Sequence, residues 1–455
     1  MDLIIAAIYF FAISIIILSF INFKLSIALY IAYLILVPYL QFNVAGVPLS
    51  YNVINTLLLL ILFYHFQIKR KIKLSFKAIN PFLFLYLSLL ILTLFEWVTP
   101  LNVQFNYWRI SFMQTCIISF IVWNIALADQ DFLIYFKWAF IISISIALVY
   151  GLFLSQMDGF NPYTSLITNH FGITDSADIY STEAESRLAF STAGKIQSTM
   201  IHPMTYGLLL CFMFIIFSII YSKTKNKIYW ILLVFIGFNI LISGVRTGIA
   251  ALTIGFAYFL IRYRKTKLLI WTFVLLSGFI IVIKSNDNLS SLFSTFTDVS
   301  GSIEDIKGSS ISMRLYQLQG AIEEIKGYEI IGKGYGWNSY YQSLHGEHPT
   351  LLAFESLIFI VLCNSGIIGS LIWIIFFMLL FRLNRKILEL KIDIFLIDTF
   401  IIVYAAYAIG TGEYGYIQIF ALYYTFLLAY VYNKQQFAKS YPMFSIKNIE
   451  QNHKL

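Results

Sequence analysis

Residues 203–265 read PMTYGLLLCFMFIIFSIIYSKTKNKIYWILLVFIGFNILISGVRTGIAALTIGFAYFLIRYRK. Three apolar runs, 203–221, 228–243 and 247–262, are parted first by Lys223, Lys225 and Lys227 and then by the hinge Ile242-Ser243-Gly244-Val245-Arg246-Thr247-Gly248. Runs close to the ~20 residues that cross a hydrocarbon layer predict transmembrane helices. The two breaks differ in kind. One is a lysine cluster. The other sets a single arginine at the mouth of a membrane helix, which is costly unless it snorkels or meets an anionic partner.

The same pattern extends in both directions. The 455-residue chain is 59% hydrophobic and only 12% charged, a balance that no soluble domain of this length has. About thirteen spans are predicted from run length: 3–21, 26–43, 50–67, 79–97, 108–128, 133–155, 203–221, 228–243, 247–262, 268–284, 353–381, 394–410 and 414–432. The expected fold class is an all-α polytopic membrane protein of about 12–14 transmembrane helices. Aromatic content of 18% suits belts at the two interfaces. The first run, Leu3 to Ile21, lacks a basic flank and a small-residue cleavage site and reads as a retained helix. Cys116, Cys211 and Cys363 lie in apolar stretches, so neither a disulfide framework nor a metal site is expected.

The net charge of +8 does not signal nucleic acid, because the basic residues sit in short clusters between spans. Lys69 to Lys77, Lys223 to Lys227, Arg262 to Lys267, Arg382 to Lys391 and Lys434 to Lys454 all follow odd-numbered spans. The positive-inside rule makes that side cytoplasmic and puts the N-terminus outside. The chain then divides into N-terminal helices (1–155), an outer loop (156–202), central helices (203–284), a larger outer loop (285–349), C-terminal helices (350–432) and a cytoplasmic tail (433–455). Short helices are expected in both outer loops. Ile311, Leu315, Leu318, Ile322 and Ile325 form one apolar stripe, with Ser309 or Ser310 as N-cap and Gly327 as stop.

Arg246 opens the ninth span on the outer side, where amide donors and a helix N-terminus surround it, and this favours an anion site over simple snorkelling. Arg314 is the only arginine of the larger outer loop, and a guanidinium grips a phosphate in two places. Arg187 is the only arginine of the other outer loop. The run Gly332-Lys333-Gly334-Tyr335-Gly336 lacks the strand–loop–helix setting of a nucleotide loop and reads as a tight turn. His348-Pro349 precedes the eleventh span, and Glu355, seven residues on, would stand two turns further on the same face. A carboxylate within an apolar membrane run is functional by default. His345, and His202 at the start of the seventh span, are further candidates. Asp129-Gln130-Asp131 matches a metal-dependent glycosyltransferase pattern but reads as a solvated cap in a short cytoplasmic turn, and Lys137, Asp393 and Asp398 read as interfacial.

On these residues the chain resembles the O-antigen polymerase and O-antigen ligase superfamily of bacterial membrane glycosyltransferases, best from His202 to Gly369. The turn Ser243-Gly244-Val245-Arg246-Thr247-Gly248 is similar to the family's arginine turn. The stretch from Arg314 to Gly332-Lys333-Gly334 resembles its outer-loop pattern of arginine, helix and glycines. Glu355-Ser356, followed after nine residues by Gly366-Ile367-Ile368-Gly369, has the spacing of the ligases' ending. Glu355 stands where the ligases have their proposed catalytic histidine, which weighs against a ligase and for a polymerase.

The resemblance implies a GT-C-like fold in the bacterial plasma membrane, with sugars carried on undecaprenyl pyrophosphate at the outer face. It implies catalysis without metal or other cofactor, with Arg246 and Arg314 neutralising the pyrophosphate and Glu355 or His348 as the base; Arg187 and His202 are further candidates, on their position alone, for binding the pyrophosphate. The implied partners are the lipid-linked oligosaccharide, the lipid bilayer and a chain-length regulator protein, with no nucleic acid. A ligase acting on lipid A core or protein is the alternative within the class. A flippase for the lipid-linked unit is the alternative outside it, and such a protein should carry charges through its central helices and have short outer loops.

Overall fold

The computed structural model describes residues 2–37, 42–44, 47–95, 98–129, 131–157, 160–171, 196–200, 202–264, 311–346, 348–351, 354, 356–412 and 416–440. Apart from a small antiparallel hairpin, β1 (Phe42–Val44) with β2 (Val47–Leu49), the regular structure among these residues is helical.

The N-terminal part holds α1 (Asp2–Ile21), α2 (Phe23–Leu36), α3 (Tyr51–Phe63) and α4 (Asn80–Thr93). It continues with α5 (Leu101–Phe112), which passes through a π-helical turn into α6 (Ile118–Ala128), then α7 (Phe132–Leu154) and the short loop helix α8 (Pro162–Phe171). The central helices are α9 (Pro203–Thr224), α10 (Lys227–Ile242) and α11 (Arg246–Arg262). Two loop helices, α12 (Ile311–Glu324) and α13 (Trp337–His345), precede α14 (Leu357–Ile387), α15 (Lys391–Thr411) and α16 (Tyr416–Ser440).

Twelve of the expected spans coincide with helices, while 268–284 lies outside the described residues. Seven of the helical stretches described are long and apolar enough to cross a bilayer. Helices α2, α4 and α10 are apolar but have only 14, 14 and 16 residues. At 1.5 Å per residue they reach about 21–24 Å, short of the ~30 Å hydrocarbon core. The chain is an all-α polytopic membrane protein.

Local chemistry sets the helix ends. Pro203 fits the first turn of α9, and His202 Nδ1 accepts the Met204 amide at 3.2 Å as its N-cap. Asn226 caps α10 by accepting the Ile228 amide at 3.0 Å. The core between α9, α15 and α16 is largely aromatic. Phe212 lies 4.4 Å from Phe400 between ring centroids, and Tyr404 stacks on Phe420 at 4.1 Å.

One end of the bundle gathers the basic clusters. Lys223 at the end of α9 pairs with Asp393 of α15 at 2.7 Å, and Gln435 of α16 donates to the same carboxylate at 2.8 Å. Asn433 donates to Ala126 O at 2.7 Å, tying α16 to α6, and Asn124 of α6 accepts the Ser75 amide at 2.6 Å. Tyr258 of α11 and Asn384 of α14 both donate to Asp398, at 3.2 and 2.8 Å. The sequence reading of Asp393 and Asp398 as residues near helix ends did not reveal these partners. Both are buried, and a buried carboxylate needs the partners that neighbouring helices supply. Asp129 pairs with Lys24 and accepts the Asp131 amide at 3.0 Å, so it is tied at this same end.

Candidate functional site

The opposite end carries the hinge of Arg246. Gly244 has φ +67°, Ser243 and Val245 are buried, and Arg246 opens α11 half-buried. The hinge is held against α9 and α15. A Cβ on Gly207 would lie 2.8 Å from Val245 and 2.9 Å from the Tyr407 hydroxyl, so only glycine allows this approach. Tyr407 in turn donates to Met204 O, and Cys211 Sγ donates to Gly248 O at 3.4 Å. His202, exposed at the N-terminus of α9, stands at this same mouth.

Arg314, on α12, reaches this mouth from the chain between α11 and α14. Its guanidinium donates to Gly410 O at the end of α15 at 3.0 Å and to Gln317 Oε1 at 3.1 Å. Gly410 packs so closely on Thr247 that a Cβ would collide with the Thr247 methyl group. Arg314 is thus bonded to the residue that touches the immediate neighbour of Arg246. The two arginines are 68 residues apart in sequence, and the chain Arg314–Gly410–Thr247 places both at the mouth of α9, α11 and α15.

The inward face of α12 differs from the expected apolar stripe. Gln317, Ala321 and Ile325 are buried, whereas Leu315 is 62% and Ile322 52% exposed. Polar bonds at both ends fix the rotation of the helix: Arg314 at one, and at the other Glu324, which pairs with Lys333 and His348. Ser309 and Ser310 lie outside the described residues. Gly327, with φ +85°, ends the turn after α12.

Glu324 organises a second cluster, which linear spacing did not reveal. One carboxylate oxygen pairs with Lys333 Nζ and the other lies 3.2 Å from His348 Nε2. Lys333 also sits 4.6 Å from the centroid of the Trp337 ring. His348 is 4% exposed, and its Nδ1 accepts the amides of Thr350 and Leu351 at 3.2 and 3.1 Å. Nδ1 is therefore the unprotonated nitrogen, and Nε2–H donates to Glu324. Burial, with Lys333 nearby, holds the His348 pKa below its ordinary value despite the opposing Glu324 carboxylate. Burial alone would raise the Glu324 pKa, but Lys333 and His348 outweigh it and hold it below the usual range. A lysine within a close-packed glycine turn was the available signal, since a buried ammonium requires a counter-ion.

The spacing argument for His348 and Glu355 is also corrected. Helix α14 starts at Leu357 with Ser356 as its N-cap, and Phe354 has φ +53°, so His348 stands on a separate turn. Glu355 and Arg187 lie outside the described residues. His345 ends α13, is exposed and packs against Tyr341 at 4.9 Å.

Helix α14 is not continuous. Gly366 has φ +60° and ψ −154°, and the glycine segment packs into the break. Lys333 N donates to Cys363 O at 2.8 Å and Gly334 N to Asn364 O at 3.1 Å. Ile367 N donates to Glu329 O at 2.9 Å and Ile368 N to Ile330 O at 3.0 Å. On its other side the segment is tied to the chain around α5: Thr99 N donates to Lys333 O, and Tyr335 N to Gln104 Oε1, each at 3.0 Å. Beside the break, a shallow depression is lined by Leu85, Tyr86, Tyr335, Ser365, Trp373 and Gln418.

Among the described residues no group of three or more His, Cys, Asp or Glu side chains is placed to hold a metal ion. Comparison with curated proteins gave no match. A family model described as O-antigen ligase matches residues 231–374, from α10 to the middle of α14. That stretch contains Arg246, Arg314, Glu324, Lys333, His348 and the break at Gly366. This match supports the resemblance of the chain to the O-antigen polymerase and ligase superfamily, a glycosyltransferase-like group of membrane enzymes.

Proposed function

We propose that the chain is a polysaccharide repeat-unit polymerase that moves a growing glycan from undecaprenyl pyrophosphate onto the next lipid-linked repeat unit. The observation supporting this is the bond from Arg314 to Gly410 O, beside the Thr247 that follows Arg246. Two guanidiniums at one helix mouth suit a pyrophosphate, which can accept forked hydrogen bonds from both. The end opposite the basic clusters is taken as the outer face, following the positive-inside rule.

In the reaction, an acceptor hydroxyl of the incoming unit attacks the anomeric carbon of the growing glycan. The carbon–oxygen bond to pyrophosphate breaks, and the leaving group keeps the electron pair. Arg246 and Arg314 stabilise the charge that develops on it, so no metal is required in this reading. Glu355 takes the hydroxyl proton. His348, with both ring nitrogens engaged, positions the turn that leads to Glu355. His202 and Arg187 assist in holding the anion. A chain-length regulator is the proposed protein partner.

The test is removal of the gene product in its host. Loss of a polymerase leaves single repeat units on their final acceptor, with no ladder above them. The family match covers polymerases and ligases alike, so the second reading is transfer of finished glycan to lipid A core or protein. Under that reading, loss strands long chains on the lipid carrier.

A further inference from the structure

The outer-loop glycine segment is bonded to a membrane helix in a way that water-exposed loops do not require. The break at Gly366 frees two carbonyls, of Cys363 and Asn364, and two amides, of Ile367 and Ile368. All four find backbone partners between residues 329 and 334. In water, solvent would serve these groups. In hydrocarbon nothing else can, and irregular backbone is tolerated there only when protein satisfies it.

Depth points the same way. From Ile367 to Phe381 there is no charged residue, and Arg382 opens the basic cluster. Fifteen helical residues rise about 22 Å, against a hydrocarbon core of ~30 Å. The break therefore lies inside the leaflet farther from the basic clusters, and helix tilt only deepens it. Along this part of α14, Ile367, Leu371, Ile374 and Met378 are 45–55% exposed at the spacing of one helix face, which is the lipid-facing stripe of a spanning helix. Ile330, 64% exposed and bonded through its carbonyl to Ile368 N, stands beside the upper end of that stripe. The charged neighbours are compatible with this depth. The Glu329 carboxylate turns back to accept the Gly327 amide at 3.0 Å, and both Lys326 and Glu329 are exposed, as residues reaching for headgroups would be.

We propose that residues 328–334 form a re-entrant segment in the leaflet farther from the basic clusters, with Ile330 against lipid acyl chains and Lys326 and Glu329 at headgroup level. The segment then brings Lys333, and through it Glu324, to the depth at which a lipid-linked headgroup enters. The inference is independent of the reaction assigned above.

Spin labels on the full-length protein in phosphatidylethanolamine–phosphatidylglycerol vesicles test it. Labels go on Ile330→Cys, Lys326→Cys and Ile374→Cys. Cys116, Cys211 and Cys363 are buried, so background labelling is low. Ile330→Cys should group with Ile374→Cys, with collisions with oxygen several-fold favoured over those with a water-soluble nickel chelate relative to Lys326→Cys. Nickel-dominated collisions at 330, or a label shielded from both reagents, would overturn the proposal. If Ile330→Cys does not fold, Ile367→Cys reports the same level, because its amide bonds Glu329 O.

Discussion

Gly332 and Gly366 meet backbone to backbone. A Cβ on Gly332 would lie 2.7 Å from Gly366 N, and a Cβ on Gly366 would lie 2.6 Å from Gly332 N. Both residues have positive φ, +73° and +60°. The outer-loop cluster and the membrane bundle are joined at this contact, and no side chain fits between them.

Gly332→Ala and Gly366→Ala should each destabilise the protein by about 2–3 kcal/mol or more, combining left-handed strain with a backbone collision. Gly327 is the control. It has φ +85°, but a Cβ there would meet nothing within 4 Å. Gly327→Ala should cost only about 1 kcal/mol, the backbone term alone. Thermal unfolding in detergent compares the three. Equal losses would mean that the contact contributes nothing beyond strain.

The His348 cluster should be sensitive to acid. Burial holds the folded His348 pKa below its ordinary value, so above that value folded and unfolded states are both neutral and stability is fully present. As pH falls from about 6.5 through the folded value, the unfolded state binds the proton more readily and stability is lost. Glu324 and Lys333 face the ring, with His345 beyond Tyr341. Glu324, held low, adds its own loss only at more acidic pH, as pH falls through its folded value. His348→Ala should lower stability at pH 7.5 and flatten the profile as pH falls below about 6.5. A profile unchanged by the substitution would show that another group titrates there.

Most of the membrane helices could be read from run length and charge, because a bilayer demands unbroken apolar stretches whose positions are set locally. The hinge of Arg246 and the turn at 332–336 were legible for a similar reason, since glycines and a charge between apolar runs are local signals. The break at Gly366 was not. Its four partners lie 30 to 38 residues upstream, and a glycine in an apolar run is otherwise compatible with a long helix. The rotation of α12 was missed because periodicity counts apolar residues, while the bonds of Arg314 and Glu324 decide which face turns inward. The Asp393 and Asp398 pairings failed to appear for the same reason: their partners come from four other helices.

Glu355 and His348 should separate by substitution. Glu355→Gln retains shape and hydrogen bonding but cannot accept a proton, so polymerisation should stop while lipid-linked substrate still binds. His348→Ala should be milder and act through the turn it caps. Near-normal rates in Glu355→Gln with a dead His348→Ala would reverse the assignment.

By the positive-inside rule, the end of the bundle where Lys223, Asp393 and Gln435 meet is expected to face the cytoplasm. Reporter fusions at residues 74, 225 and 436 should report the cytoplasm, and fusions near 180 and 300 the outside. An external signal at 225 would invert the assignment of the arginine mouth.

The most direct test of the anion site is polymerisation in vitro by purified protein with undecaprenyl-pyrophosphate-linked repeat units, run with a chelator. Arg246→Ala and Arg314→Ala should each lower the rate on the order of 10²-fold or more, the loss that follows removal of a donor aimed at developing charge. Arg246→Lys and Arg314→Lys should remain impaired, because an ammonium cannot make the forked contact. Long chains formed at the wild-type rate by both folded alanine variants would contradict the account.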